Sequence, residues 1–216
     1  MRIAVTLALT IMLALSGCQT AYYSAMEQVG YHKRDILSSR VKTARDSQQE
    51  AKQEIVSALE EFSKVVDTRG GELEEQYRRM AAKLADAETS AEAVRGRIRD
   101  VENVGEALFE EWRGELSQYS SAELRARSER QLRATRSRYD TMVAAMKRAE
   151  SRLEPALRPM RDQVLYLKHN LNARAISGIK GEVAKVDAQV NQLVVELNRA
   201  IAEADGFIRQ MDAGAE

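Results

Sequence analysis

The chain has 216 residues, and its 33 Lys and Arg balance 33 Asp and Glu for a net charge of +0. A balanced chain is not an obvious nucleic-acid binder, so no nucleic-acid partner is expected. Charged residues make up 31% and aromatic residues 5%, with only 2 prolines and 11 glycines, a composition of long helices and coiled coils rather than sheets.

The N-terminus comes first. Arg2 precedes an apolar run from Ile3 to Leu13, 11 residues long, whereas a spanning helix needs roughly 20. Leu15-Ser16-Gly17-Cys18 follows, and Cys18 is the only cysteine. Together these resemble the signal peptide and lipobox of a bacterial lipoprotein. The resemblance implies removal of residues 1–17, acylation of Cys18, and a lipidated tether over 18–27. Several acyl chains hold stably where one holds marginally, since each buried methylene adds about 0.8 kcal/mol. Gln19, where inner-membrane lipoproteins often carry Asp, implies the periplasmic face of the outer membrane. Tyr22 and Tyr23 suit a headgroup depth or a plain linker equally.

The helical body is expected over 28–212. A first helix, from Glu27 or Arg34 to Val66, carries Leu37, Val41, Ala44, Ala51, Ile55, Ala58, Phe62 and Val65 in alternating steps of four and three, broken at Gln48. Gly70-Gly71 ends it, and Glu72, Glu74 and Glu75 favour the start of the next helix through its dipole. The second helix keeps the four-three spacing from Leu73 to Trp112, about 45 residues and roughly 65–70 Å. Ser120 facing Glu123 predicts a capping box for the third.

The third helix carries Leu132, Thr135, Tyr139, Met142, Met146, Ala149 and Leu153 before Pro155 and Pro159. A proline removes a hydrogen bond and clashes with the preceding turn. The chain therefore kinks or turns there, and the unbroken apolar phase favours a kink. Ile179 to Met211 form the last stripe. Such seams stay exposed on a lone helix, so the fold class is all-α: an elongated antiparallel coiled-coil bundle of three to four long helices.

Charges suggest the pairing of the second and third helices. Asp100, Glu102, Glu106, Glu110, Glu111 and Glu115 precede the turn, and Arg125, Arg127, Arg130, Arg133, Arg136 and Arg138 follow it. Interhelical pairing is the expectation, with an anionic-surface contact by Arg125, Arg127, Arg130, Arg133 and Arg136 as the alternative. The stretch 164–176 is apolar on more than one face, which predicts enclosure rather than a partner contact.

Chemistry is sparse. No G-x-x-x-x-G-K-[ST] loop and no G-x-S-x-G elbow occurs. His32 and His169 lack the further Cys or His ligands of a zinc site. Met80, Met142, Met146, Met160 and Trp112 fall on seams and read as core. No catalytic residue, metal or cofactor is expected, and the protein is read as no enzyme.

Three strings carry a wider resemblance: Tyr22 to Glu27 with Gly30 to Ile36, Ala107 to Trp112, and Arg161 to Ile176. On these the chain resembles a helical family of Gram-negative lipoproteins of unknown function, over nearly the whole mature length. The resemblance implies an envelope location and a helical build, and it brings no activity. The resulting expectation is a spacer or interaction scaffold, membrane-held through Cys18, with an envelope protein or a second copy as partner.

Overall fold

The structure is a computed structural model that describes residues 32–67, 72–170 and 173–213. The signal, Cys18, the tether and Gly70-Gly71 lie outside the described residues. Four long helices follow one another: α1 (Lys33–Lys64), α2 (Leu73–Glu115), α3 (Ala122–His169) and α4 (Ala173–Ala213). Short 3-10 turns, Val65–Asp67 and Leu116–Gln118, close α1 and α2.

Cross-helix pairs fix the directions. Along α1 and α2, Lys33 meets Glu111, Arg40 meets Asp100 and Glu54 meets Lys83, so one helix descends as the other climbs. Along α2 and α3, Trp112 meets Ser128, Arg136 meets Glu106 and Arg161 meets Glu88. Along α3 and α4, Arg148 meets Glu196. Along α4 and α1, Asp212 meets Lys42, Asp205 meets Arg45 and Asn198 meets Lys52. The result is an up-down-up-down antiparallel bundle in which α1 neighbours α2 and α4, and α3 neighbours α2 and α4. At 1.5 Å per residue α2 alone is about 65 Å long. Most of these pairs are solvent-exposed, where an ion pair adds about 0–1 kcal/mol, so the seams supply the stability.

The stripes read from the sequence form one continuous core. Leu37, Val41, Ala51, Ile55 and Phe62 of α1 pack with Met80, Leu84, Val94 and Ile98 of α2, with Met142, Met146, Leu153 and Met160 of α3, and with Ile179, Val190, Leu193 and Leu197 of α4. Gln48, where the α1 seam seemed broken, is 0% exposed, so the seam runs through it. Tyr77 and Trp112 are half-buried against the core. Gln76 is the more deeply buried neighbour of Tyr77, and its Nε2 donates to the Glu61 backbone carbonyl at 2.9 Å and to Glu61 Oε2 at 3.0 Å. These bonds tie the start of α2 to the end of α1. Lys64, then Gln76 and Arg79, hold the Glu61 carboxyl below the usual carboxylate range against the opposing effect of burial.

Two sequence expectations need correction, the cap of α3 and the enclosure of its end, and the choice left open at the prolines is decided. The cap of α3 is Ser121, not Ser120: Ser121 has extended backbone and its Oγ accepts from the Leu124 N–H at 3.3 Å, so the helix starts one residue later than the capping-box reading placed it. Helix α3 continues through Pro155 and Pro159 to His169, which rules out a turn there. Pro155 lies on an exposed face, so the Ser151 carbonyl deprived of its N–H partner can bond to water. Enclosure also fails over 164–170, the described part of the stretch 164–176: Leu167 is buried, but Leu165 is 62% and Tyr166 46% exposed, and the side chains of 171–176 lie outside the described residues. Helix α3 ends three residues after Tyr166, where fewer neighbours are available to cover a second face.

Near the other end, Tyr139 of α3 lies between Phe109 of α2 and Phe207 of α4, with ring centroids 5.2 and 6.2 Å away in edge-to-face geometry. Its hydroxyl donates to the Val101 carbonyl at 3.3 Å. Burial pushes the phenol well above its ordinary value of 10.0. Above about pH 10 an unfolded tyrosine loses its proton while the folded one keeps it, so the folded state is disfavoured as pH rises. Tyr139→Phe should cost about 1 kcal/mol at neutral pH for the lost hydrogen bond. It should also flatten the fall of stability above pH 10, measured by urea unfolding at stepped pH.

Candidate functional site

The two ends of the rod differ. One carries the α1–α2 and α3–α4 connections. The other carries the start of α1, the α2–α3 turn and the end of α4. Among the described residues, only α2 and α3 run on at this second end past the start of α1 and the end of α4. Lys33 Nζ, at the start of α1, lies 2.8 Å from Glu111 Oε1, and the Arg34 guanidinium donates to the Met211 carbonyl near the end of α4. Helix α2 and its 3-10 turn run on from Glu111 to Gln118, an overhang of about 10 Å at the helical rise.

Beneath this α2–α3 overhang is a cleft of about 680 Å³. Leu108, Trp112, Tyr119 and Leu124 supply its apolar lining, with Met211 and Arg34 at its base. Trp112 Nε1 donates to Ser128 Oγ at 2.9 Å, which fixes the indole across the α2–α3 seam. Tyr119 is 42% and Leu124 53% exposed, two of the few large apolar side chains that the described residues leave in solvent. Glu111, Glu115 and Arg127 complete the rim. An apolar wall with charges of both signs suits an amphipathic peptide better than a reaction. Sequence reading placed Leu108 and Trp112 on a seam but missed Tyr119 and Leu124. Leu124 does extend the Leu132 row through Ser128 in steps of four, which was the available signal.

The arginine stretch lies at the same end. Of its members only Arg136 reaches an acid of α2, Glu106 at 3.2 Å, while also pairing with Asp140 on its own helix. Arg133 pairs with Glu129 within α3. Arg125, Arg127, Arg130 and Arg138 are exposed and make no ion pair among the described residues. The expected interhelical zipper is therefore reduced to one bridge within this stretch, joined further along by Lys147 and Glu102 at 2.7 Å. The reason is angular. At 100° per residue Arg130 and Arg133 point away from Leu132, Thr135 and Tyr139, which define the inward face. Arg136 is the exception because its guanidinium lies over the Phe109 and Tyr139 rings, at 5.0 and 5.5 Å from their centroids.

His32 caps the start of α1 and His169 is the last residue of α3, so the rod holds them at opposite ends and they cannot share an ion. Cys18, the predicted lipidation site, lies outside the described residues. Among the described residues no group of three or more His, Cys, Asp or Glu side chains is placed to hold a metal, and no helix is long and apolar enough to cross a membrane.

No curated protein and no solved structure matches the chain. One family model does, over residues 22–211, which takes in all four helices almost completely and eleven residues before α1. The chain thus belongs to the family described as "Protein of unknown function (DUF2959)".

Proposed function

We propose that the protein is a non-enzymatic lipoprotein of the bacterial envelope, held through acylated Cys18 at the periplasmic face of the outer membrane, where its helical rod acts as a spacer or scaffold for envelope components. The observation that carries this reading is the position of the α1 start. It lies at one end of a rod about 65 Å long, so an anchor attached there leaves the opposite end projecting from the membrane. Residues 19–31 between anchor and rod reach at most about 45 Å when fully extended. The test is metabolic labelling with palmitate followed by membrane fractionation. The native chain should incorporate label and sediment with outer membranes. Cys18→Ala should lose both, and label that persists in Cys18→Ala refutes the anchor.

A second reading is favoured by the arginine stretch, of which Arg125, Arg127 and Arg130 make no ion pair among the described residues. Arg125, Arg127, Arg130, Arg133 and Arg136 lie at the end that the anchor would bring to the lipid surface, where each basic residue near an anionic membrane contributes about 1 kcal/mol. Under this reading Cys18→Ala protein binds vesicles rich in anionic phospholipid at low salt. Replacing Arg125, Arg127 and Arg130 by Gln should weaken that binding about tenfold or more, and 0.5 M salt should abolish it. Absence of binding at low salt refutes it.

A further inference from the structure

We propose that the outward face of α3 lies along an anionic phospholipid surface over most of its length, so that the rod rests on its side with α3 beneath. The proposal rests on the second reading above, that arginines of this helix meet anionic lipid, and extends the contact from one end of the rod to its whole side. Helix α3 holds 12 Lys and Arg against 6 Asp and Glu, whereas α2 holds 7 against 11. The excess is sorted by face. Arg136, Lys147 and Arg161 reach Glu106, Glu102 and Glu88 of α2, which marks one edge of α3. Between Arg127 and Pro159 all four acids of α3 fall on that edge: Glu129 and Glu150 stand whole heptads from Arg136, and Asp140 and Glu154 stand one heptad from Lys147. Arg127, Arg130, Arg138, Arg148, Arg152 and Arg158 fall on the remaining surface, and all six are exposed. Five of them make no ion pair among the described residues, and Arg148 only approaches Glu196 of α4, at 3.8 Å. The row is about 45 Å long at the helical rise.

The exposed apolar side chains choose the occupant. Of the five large ones among the described residues, three belong to α3: Leu124, Leu165 and Tyr166. They share heptad places with the outward arginines. Leu124 and Tyr166 stand whole heptads from Arg138 and Arg152, and Leu165 stands one heptad from Arg158. The arginine row is thus bracketed at both ends, on its own face, by side chains suited to the boundary between headgroups and acyl chains. A soluble polyanion would engage the cations and leave these three side chains in water. A lipid surface engages both.

The acylated chain can adopt this pose, because a tether that reaches about 45 Å does not hold the rod upright. The pose itself is independent of acylation and should persist in Cys18→Ala. That variant on vesicles rich in phosphatidylglycerol gives the test at low salt. Replacing Arg148, Arg152 and Arg158 by Gln, all exposed and remote from the start of α1, should weaken binding about tenfold or more with unchanged helix content. If this far set has no effect while Arg125, Arg127 and Arg130 do, the contact is confined to the end of the rod: the proposal is overturned and the second reading stands. If the chain does not bind at all, both fall.

A second variant reads the apolar part of the contact. Leu165→Ser with Tyr166→Ser should weaken vesicle binding about threefold or more. Unchanged binding overturns the lipid occupant, and competition by soluble polyphosphate would then assign the row to a linear polyanion. On the acylated chain, neutron reflectivity from a supported bilayer of the same lipid should show a protein layer about 20–25 Å thick, two helix diameters. A layer of about 65 Å, the length of an upright rod, overturns the proposal.

Discussion

Gly105→Ala should destabilise the bundle by about 2 kcal/mol, against the usual sign for placing alanine in a helix. Helix propensity alone favours alanine over glycine by about 1 kcal/mol. Here a β-carbon would lie 2.4 Å from Tyr139 Cζ and Oη and 2.5 Å from Cε2, far inside van der Waals contact. The ring has little freedom to move away. Phe109 and Phe207 meet it edge-on, and its hydroxyl bonds to the Val101 carbonyl one turn before Gly105. Overpacking of a well-filled core costs about 1–3 kcal/mol and occasionally more. A contact this short belongs at the upper end, and the propensity gain offsets part of it.

The loss should appear as a fall in melting temperature of about 4–8 °C, at about 2–4 °C per kcal/mol for a chain of this size. A double-mutant cycle identifies the cause. In a Tyr139→Leu background the added methyl meets a smaller side chain, so Gly105→Ala should become neutral or stabilising. If Gly105→Ala costs the same in both backgrounds, the Tyr139 ring is not what requires glycine. The aromatic contact is consequential because it joins α2, α3 and α4 next to the cleft. Loosening it should also increase iodide access to Trp112.

The seams were legible in the sequence because a coiled-coil core depends on period alone. Leu84, Val94, Met146, Leu153 and Leu197 were placed inside by spacing and are buried. The antiparallel order followed from short connections. What period does not carry is the second core position beside each seam, which decides how four helices close a square. Phe109, Val104, Leu157, Ala200 and Phe207 are buried for that reason, and none lay on a stripe. The arginines illustrate a related limit: charge sign along a segment is readable, but the side of the helix on which each charge falls depends on which face the core takes. Leu165 and Tyr166 were misjudged because apolar content on two faces suggests burial only where neighbours exist to cover both, and α3 ends just beyond them. The cleft depends on helix ends being out of level, which no periodicity encodes.

Gln48→Leu should stabilise the protein by about 1–3 kcal/mol. Gln48 is fully buried, and neither Nε2 nor Oε1 has a hydrogen-bond partner. A buried polar group left unsatisfied costs about 1–3 kcal/mol in lost hydration, and leucine of similar size removes that cost while keeping the volume. The surroundings are apolar. Ala44 and Ala51 flank the position on α1, and interpolation between the Arg40–Asp100 and Lys83–Glu54 pairs brings Gln48 level with the stretch near Ala87 and Ala91 of α2. A polar residue at one seam position is a known means of fixing register at a cost in stability. In a core this rich in alanine, a slip of one helix past another meets little shape resistance, and an amide that tolerates few positions supplies what shape does not. Two results are therefore expected together: a higher denaturation midpoint for Gln48→Leu by urea unfolding, and a broader distribution of species by sedimentation velocity as alternative registers or pairings between chains become accessible. A lower midpoint instead would mean that a bound water or another buried partner satisfies the amide, and would make Gln48 a stabilising group rather than a register-setting one.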